Sequence, residues 1–430
     1  MSRIKLVLLP LVVAGLSFGI AACGDDDSTT GGGGEDVSGA SFDLQIGALL
    51  PLTGDLSAFG PAGQKAAELA VEELSKAAPD GVTFEMKTQD SQTEPTAAQS
   101  AAKQLISGGA TCLIGPWSSS ETVPVGRSVA AREQVPLISP SATSPEITDL
   151  PDDGYVFRTA PSDALQGQVL ADAIEKANGG TDGLVSIGGR NDPYGEGIVT
   201  EFQKAWEAKG GTTSDPVLYD PELSSYNSEA DQIVANDPDT FMLIDFEEPW
   251  NKVGPALTRT GKFDASNLWT ADGLAFQDGI PDSIPVDTLA GARGTRPATP
   301  SDSSTAKAFD QLYSSSSKPP KERNTFDAQN FDAATLCGLA AVAAGSNEAT
   351  AIKDQIQAVA SPPGEKFDYT QLSDAIAALQ NGDDIDYEGV SGTADLDDNG
   401  DPTLGFYETY EYDDQGKFSV TGTVEKESGE

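Results

Sequence analysis

Short apolar runs alternate along this chain with longer segments whose apolar residues recur at helical spacing. Residues 44–50 form a run typical of a buried strand, and residues 63–77 show the periodicity of a helix. The same alternation predicts strands at 82–87, 112–114, 135–138, 184–188 and 241–245, and helices at 96–106, 165–176, 196–209, 305–313, 324–344, 351–360 and 369–380. This order predicts an α/β fold with mainly parallel sheets and right-handed crossovers. The tail, 390–424, instead shows short alternating strands around Asn399-Gly400 and Gln415-Gly416.

Clusters of hydroxyl residues follow two of the predicted strands. Ser118, Ser119 and Ser120 come after the run at 112–114, and Ser141 and Thr143 come after the run at 135–138. Ligands of open α/β sheets bind at the carboxyl ends of strands, and helix N-termini favour anions. The clusters therefore predict an anion-binding site, with ordinary N-capping as the alternative.

The first residues resemble an export signal. Arg3 and Lys5 precede an apolar run at 6–20, and Ala21-Ala22-Cys23 resembles the lipobox of bacterial lipoproteins, in which the cysteine is lipidated. The Gly- and acid-rich residues that follow cannot bury a core. We expect a signal peptide at 1–22, lipidation at Cys23 and a flexible tether at 23–41.

Length and charge limit the architecture and the partners. About 390 residues after the tether exceed one ordinary core, so two lobes are expected. The formal net charge is −42, and it would become −44 after loss of the two cations of the signal peptide. Such acidity argues against nucleic acid and anionic lipid head groups as partners. A salty habitat and a need for solubility are both open explanations.

The chain contains no histidine, which excludes Ser-His-Asp hydrolysis, Cys-His proteases and the usual zinc sites. The calcium-like residues 395–400 lack the required glutamate, because the twelfth position is Phe406. We expect no enzyme activity, no metal and no cofactor. Cys112 and Cys337 form either a disulfide or two buried thiols.

Seven segments in order resemble one known family. They are LLPLTGDLSAFG, IGPWSSSE, LISPSATSPEIT, FRTAPSDALQG, NDPYGEG, TFDAQNFDAATL and GVSGTADLDDNGDP. Together they resemble the leucine/isoleucine/valine-binding proteins, which are type I substrate-binding proteins of ABC importers. The resemblance implies two doubly wound α/β lobes joined by a three-stranded hinge. Lobe one would comprise 42–160 plus 296–392, and lobe two 161–295 plus 393–430.

The resemblance also implies a set of ligand-binding residues. The ligand carboxylate would be held by Ser118, Ser119, Ser141 and Thr143, with Ala142 between the last two, and the ammonium by Asp272. Tyr194 would cover the ligand, Phe59 would line the side-chain pocket, and Trp117 would either line it or pack behind the strand. Glu247 stands where the family commonly has a tyrosine, so it would either enter the site and favour a more cationic ligand or point to solvent.

The functional expectation is an extracytoplasmic solute-binding protein, anchored by its lipid to the outer face of the cytoplasmic membrane. It would capture an amino acid or a related small polar solute by hinge closure and deliver it, as a monomer, to an ABC permease. The alternative is a ligand-sensing module of the same fold that acts on a separate signalling partner.

Overall fold

A computed structural model describes residues 37, 39–300 and 302–428. The expected signal peptide at 1–22, the lipidation site Cys23 and most of the tether at 23–41 lie outside the described residues. Within the described part of the chain, no helix combines the length and the apolar character needed to cross a membrane.

The order of strands and helices follows the predicted α/β alternation. The strands are β1 Phe42–Leu50, β2 Val82–Asp90, β3 Cys112–Ile114, β4 Leu137–Ser139, β5 Val156–Arg158, β6 Leu184–Arg190, β7 Thr212–Thr213, β8 Val217–Tyr219, β9 Thr240–Ile244, β10 Leu268–Thr270, β11 Arg293–Pro297, β12 Glu365–Asp368, β13 Ile385–Glu388, β14 Leu404–Tyr412 and β15 Phe418–Glu427. The helices are α1 Gly60–Ala77, α2 Pro95–Ser107, α3 Ser119–Val125, α4 Ala131–Glu133, α5 Asp163–Asn178, α6 Pro193–Ala208, α7 Asn227–Ile233, α8 Glu247–Arg259, α9 Ser304–Ser315, α10 Asp327–Ala344, α11 Ala349–Ala360 and α12 Leu372–Gln380. A π-helical turn, Gly126–Ala130, joins α3 to α4.

The first sheet contains five parallel strands in the order β2-β1-β3-β4-β5. Its residues alternate between two apolar layers, as the period of a strand requires. Ile46 and Ile114 pack in the layer that contains α1 and α10, whereas Leu49 and Leu113 pack in the layer that contains α2. Burial on both faces explains why these strands read as continuous apolar runs.

The second sheet has the order β15-β14-β11-β10-β9-β6-β7, with β8 also paired to β6. Its strands are parallel except β14 and β15, which form an antiparallel hairpin around Gln415-Gly416. Helices α5 and α6 cover one face, in the apolar layer that contains Ile187 and Phe202. Helices α7 and α8 cover the other face, in the layer that contains Leu243 and Trp250. We call each sheet with its covering helices a lobe.

The chain passes between the two sheets in three places. Residues 159–162 lead from β5 to α5, the described residues 298–300, 302 and 303 lie between β11 and α9, and residues 389–403 lead from β13 to β14. The expected boundaries after 160 and 392 fall within the first and third passages. The remaining boundary, after 295, falls inside β11, which continues to Pro297 and pairs with β14.

Two local predictions are refined by the structure. The predicted strand at 135–138 begins only at Leu137, since Pro136 has no N–H for a ladder. The turn at Asn399-Gly400 makes only an isolated bridge between Leu396 and Pro402.

Cys112 and Cys337 form a disulfide with a Cα–Cα distance of 6.0 Å. It joins β3 of the first sheet to α10, and the alternative of two free buried thiols is therefore wrong.

Candidate ligand-binding site

Side chains from both lobes meet around a small cavity. Its volume is about 20 Å³, which is room for about one water molecule. It is lined by Leu56, Phe59, Trp117, Ser118, Ser119, Ser141, Tyr194, Phe246, Asp272, Gly273 and Phe326. None of these lining residues is a lysine or an arginine, so Asp272 supplies the charge of the cavity.

A turn after β3 brings the first hydroxyl cluster to the cavity. Gly115 has a φ of +82°, and a Cβ at this position would lie 2.1 Å from the Leu49 carbonyl oxygen, so only glycine fits. The turn leads into Ser118, whose hydroxyl oxygen caps α3 by accepting the N–H of Glu121. The first N–H groups of α3 therefore begin at the cavity, where they have no acceptor within the helix.

The loop after β4 is bonded to the loop after β3. Ser141 Oγ donates to the Trp117 carbonyl oxygen (2.6 Å), and Ser119 Oγ accepts the N–H of Ser144 (3.1 Å). The second bond uses Ser119 only as an acceptor, so its hydroxyl proton remains available to a ligand oxygen. The two hydroxyl clusters thus lie side by side.

The second lobe contributes a buried carboxyl group. Asp272 follows β10 and is 4% exposed. Its Oδ1 accepts hydrogen bonds from Gln166 Nε2 (3.0 Å) and from the Tyr194 hydroxyl (3.2 Å). Burial raises the pKa of Asp272 to about 6, against the lowering effect of its hydrogen bonds. The carboxylate is therefore the main form at pH 7.

Aromatic rings form the walls of the cavity. Phe246 stacks on Tyr194 with ring centroids 5.1 Å apart, and Trp117 meets Phe326 edge-on at 6.3 Å. Phe326 has a φ of +68°, a left-handed conformation that is rare for a bulky residue. Such strain persists where the surrounding structure imposes it, commonly at ligand sites.

Arg190 links the two sides of the cavity. Its guanidinium lies 3.8 Å from the centroid of the Phe246 ring, on the second-lobe side. Its Nη1 also reaches Asp55 at 3.3 Å, in the first-lobe loop that carries Leu56. This ion pair is a direct contact between the two lobes at the cavity.

Behind the second hydroxyl cluster lies a buried arginine. Arg158 is fully buried and donates Nη1 to the carbonyl oxygens of Ala142 (3.3 Å) and Ser144 (2.9 Å). Its Nε and Nη2 pair with Asp401 at 2.5 and 2.6 Å. Asp401 lies in the third passage between the sheets, which thereby supports the loop that carries Ser141.

Asp163 is buried beside the site. Its N–H donates to the Thr143 carbonyl oxygen (2.8 Å), but among the described residues neither oxygen of its carboxyl group has a hydrogen-bond partner. Burial, followed by the charge of Asp272, raises the pKa of Asp163 well above its ordinary value. Burial beside the Asp272 carboxylate therefore disfavours a second negative charge on Asp163.

The structure brings most of the predicted site residues together. Seven line the cavity: Phe59, Trp117, Ser118, Ser119, Ser141, Tyr194 and Asp272. Ala142 and Thr143 are buried next to the cavity without lining it. Glu247 lies outside it, at the start of α8, where its Oε1 accepts a hydrogen bond from Ser283 Oγ (2.5 Å). The ligand contacts assigned to these residues remain predictions.

Four lining residues were missed by the sequence analysis: Leu56, Phe246, Gly273 and Phe326. Phe246 immediately precedes Glu247, so the aromatic side chain sought at that place lies one residue earlier. Phe326 sits just before α10, and its strained backbone leaves no sequence signal.

The sequence profile of a family described as "Periplasmic binding protein" matches residues 43–395. The chain belongs to this family. The resemblance to the leucine/isoleucine/valine-binding proteins and the type I fold predicted from it are thereby confirmed.

Curated relatives of this periplasmic binding protein match it over part of their length. The Leu/Ile/Val-binding protein homolog 3 of Brucella melitensis is 35% identical over 184 residues, 43% of this chain and 48% of the relative. The leucine-, isoleucine-, valine-, threonine-, and alanine-binding protein of Pseudomonas aeruginosa is 32% identical over 174 residues, 40% of this chain and 45% of the relative. The chain thus spans about half the length of these relatives.

Solved structures share the fold of this periplasmic binding protein. The leucine binding protein of Thermotoga maritima superimposes with a TM-score of 0.72 at 21% identity, over 89% of this chain and 98% of that one. At this identity the likeness establishes the fold alone.

Proposed function

We propose that this chain is the solute-binding lipoprotein of an ABC importer, and that its cavity takes an α-amino acid with an apolar side chain. One observation carries the proposal. The hydroxyl groups of Ser118, Ser119 and Ser141 face the Asp272 carboxylate across one small cavity, between aromatic walls. The curated relatives bear names that state binding of leucine, isoleucine and valine.

This arrangement has the chemistry that a zwitterion requires. A buried carboxylate needs hydrogen-bond donors, which the Ser119 hydroxyl and the N–H groups at the start of α3 supply. A buried ammonium needs an anion, which Asp272 supplies. Each hydrogen bond to a charged group contributes about 1.5–3 kcal/mol, so four or five account for micromolar affinity, about 8 kcal/mol. The aromatic walls, free of lysine and arginine, favour an aliphatic ligand side chain.

The size of the cavity supports a hinge mechanism. A volume of about 20 Å³ does not admit an amino acid, so the lobes must separate for entry and close again on the ligand. The three passages, represented by the described residues 159–162, 298–300, 302–303 and 389–403, would form the hinge.

The family places such proteins outside the cytoplasm, and the lipobox-like Ala21-Ala22-Cys23 supports a lipid anchor at the membrane. The proposal includes delivery of the bound amino acid to an ABC permease. Neither binding nor delivery requires covalent chemistry.

The test is calorimetric titration of the mature, unlipidated protein with L-leucine, L-isoleucine and L-valine at pH 7.5. Asp272→Asn should weaken binding by about 30- to 5,000-fold, because loss of one partner of a buried charge pair costs about 2–5 kcal/mol. Glu247→Gln is the matched control: its carboxylate lies outside the cavity, and affinity should stay within twofold.

Benzoate separates the amino acid from other apolar carboxylates, because it carries the carboxylate and a ring but no ammonium. Binding of benzoate but of no amino acid, or amino-acid binding indifferent to Asp272→Asn, would overturn the proposed role of the cavity. A stronger effect of Glu247→Gln than of Asp272→Asn would do the same.

A further inference from the structure

A buried glutamate lies directly behind the serine that starts α3. Glu121 Oε2 accepts hydrogen bonds from the Ser118 hydroxyl (2.7 Å) and from the Ser118 N–H (3.2 Å). Ser118 Oγ in turn accepts the Glu121 N–H (3.3 Å), which completes a capping box. Ser118 also lines the ligand cavity, so one hydroxyl group belongs to both the helix cap and the candidate carboxylate subsite.

The hydroxyl of Ser118 has a single proton, which points to Glu121 Oε2 at 2.7 Å rather than to Ser120 Oγ at 3.1 Å when Glu121 is ionised, because a charged acceptor is the stronger one. An ionised carboxylate can only accept hydrogen bonds, so it holds the Ser118 proton on its own side. Ser118 then presents only lone pairs to the cavity, and these repel a ligand carboxylate. A protonated Glu121 can donate its own O–H to Ser118 Oγ, which frees the Ser118 proton to turn toward the ligand.

Burial makes protonation of Glu121 accessible. The side chain is fully buried, and its Oε1 has no hydrogen-bond partner among the described residues. Burial raises the pKa of Glu121 to about 7, against the hydrogen bonds from Ser118, and the charge of Glu94 raises it further. A capping glutamate in solvent would have no such behaviour.

The charged groups on the elements packed against α3 do not include a cationic partner for Glu121 among the described residues. The elements packed against α3 are α2, the π turn, the turn at Pro145–Ile147 and α6. The titratable groups of these elements are Glu94, which caps α2, and Lys103; Arg127 and Glu146, which pair with each other at 3.5 Å; and Tyr194, Glu196, Glu201, Lys204 and Glu207 of α6. Within the described residues, Glu121 forms no ion pair, so a ligand carboxylate in the cavity faces an uncompensated negative group.

We propose that Glu121 is a positioning residue of the ligand carboxylate subsite, and that its protonation accompanies ligand binding. The inference rests on the proposed function, because it requires a ligand with a carboxylate at Ser118. Binding then takes up one proton where Glu121 is ionised in the free protein. Affinity falls as pH rises through the pKa of Glu121, the reverse of the dependence set by Asp272, which must be ionised to hold the ammonium.

The test is calorimetric titration with L-leucine between pH 6.5 and 8.5, in two buffers of different ionisation enthalpy at constant ionic strength. The wild-type dissociation constant should rise roughly 20-fold over this range, and proton uptake should approach one per ligand at the upper end. Glu121→Gln keeps the shape of the side chain and offers an N–H to Ser118 at every pH. Its affinity should be nearly constant and its proton uptake near zero.

Asp245 provides the matched control. It is fully buried in the second lobe, bonded to the Tyr219 hydroxyl (2.9 Å), and burial raises its pKa to about 7 as well. Asp245→Asn should therefore retain the loss of affinity at high pH, and Glu121→Gln should retain the loss below pH 6 that comes from Asp272.

A wild-type affinity that does not change from pH 6.5 to 8.5 would overturn the role of Glu121 and leave the proposed function intact. Persistence of the alkaline loss in Glu121→Gln, or its disappearance in Asp245→Asn, would also overturn it. Failure of L-leucine, L-isoleucine and L-valine to bind either protein at pH 6.5 would overturn the proposed function and this inference together.

Discussion

Gly63 fixes the position of Trp117 in the wall of the cavity, because there is no space for a side chain between them. A Cβ on Gly63 would lie 2.2 Å from Trp117 Cζ2 and 2.5 Å from Cη2. Gly63→Ala should therefore displace the indole, which lines the cavity next to Ser118. We expect the free energy of unfolding to fall by about 1–3 kcal/mol and the affinity for L-leucine to fall about tenfold, both measurable by denaturation and calorimetry.

Gly210→Ala is the control for this prediction. Gly210 follows α6 with a φ of +86°, and a Cβ on it would meet no other atom within 4 Å. The change should cost about 1 kcal/mol of backbone strain and leave affinity unchanged. Equal affinities of Gly63→Ala and the wild type would show that the indole does not shape the site.

The sequence was sufficient to predict the cavity-lining residues that belong to recognisable motifs. It was not sufficient for those that reach the cavity through an unusual backbone conformation. Ser118 and Ser141 follow buried strands, so their place at a sheet edge could be foreseen. Phe326 enters the cavity because its backbone is left-handed, which no local pattern indicates. The spacing of Ser118 and Glu121 is that of a capping box, which a sequence can show. The burial that raises the pKa of Glu121 depends on the tertiary fold.

Between elements, the most informative contact joins β5 to the third passage between the sheets. Asp401→Ala would leave Arg158 buried without a counter-charge, and breaking a buried pair costs about 3–5 kcal/mol. Chemical denaturation should show this loss. Affinity for L-leucine should fall too, because Arg158 holds the carbonyl oxygens of Ala142 and Ser144.

The exposed pair Arg127–Glu146 is the comparison, with side chains about half exposed and a distance of 3.5 Å. Glu146→Ala should change the free energy of unfolding by no more than about 0.5 kcal/mol. If both variants had equally small effects, Asp401 would have no structural importance in the loop that carries Ser141.

Elements were easier to predict than their connections. Strands buried on both faces, such as β1 and β3, read directly as apolar runs. The third passage, 389–403, was read as strands because its turn residues resemble a hairpin. Its conformation is set instead by distant groups, since Asp401 pairs with Arg158 across 243 positions of sequence.

For the whole molecule, net charge is the dominant long-range property. A charge of −42 on 430 residues destabilises the compact state through self-repulsion. Salt shortens the Debye length from about 10 Å at 0.1 M to about 3 Å at 1 M, which screens distant like charges more than close ion pairs. We expect the Tm to rise by about 5 °C or more between 0.1 and 1 M NaCl, as measured by calorimetry.

Sorbitol at matched osmolality should raise the Tm less than NaCl, because it does not screen charge. Affinity for L-leucine gives the second comparison. The candidate charge contacts at Asp272 are buried, and buried pairs are screened far less than exposed ones. If the Tm rises with salt while the affinity stays within about threefold, the repulsion that salt screens lies on the surface and does not act at the ligand site. A Tm independent of salt would show that the acidic residues lie too far apart to repel, and that their excess serves solubility alone.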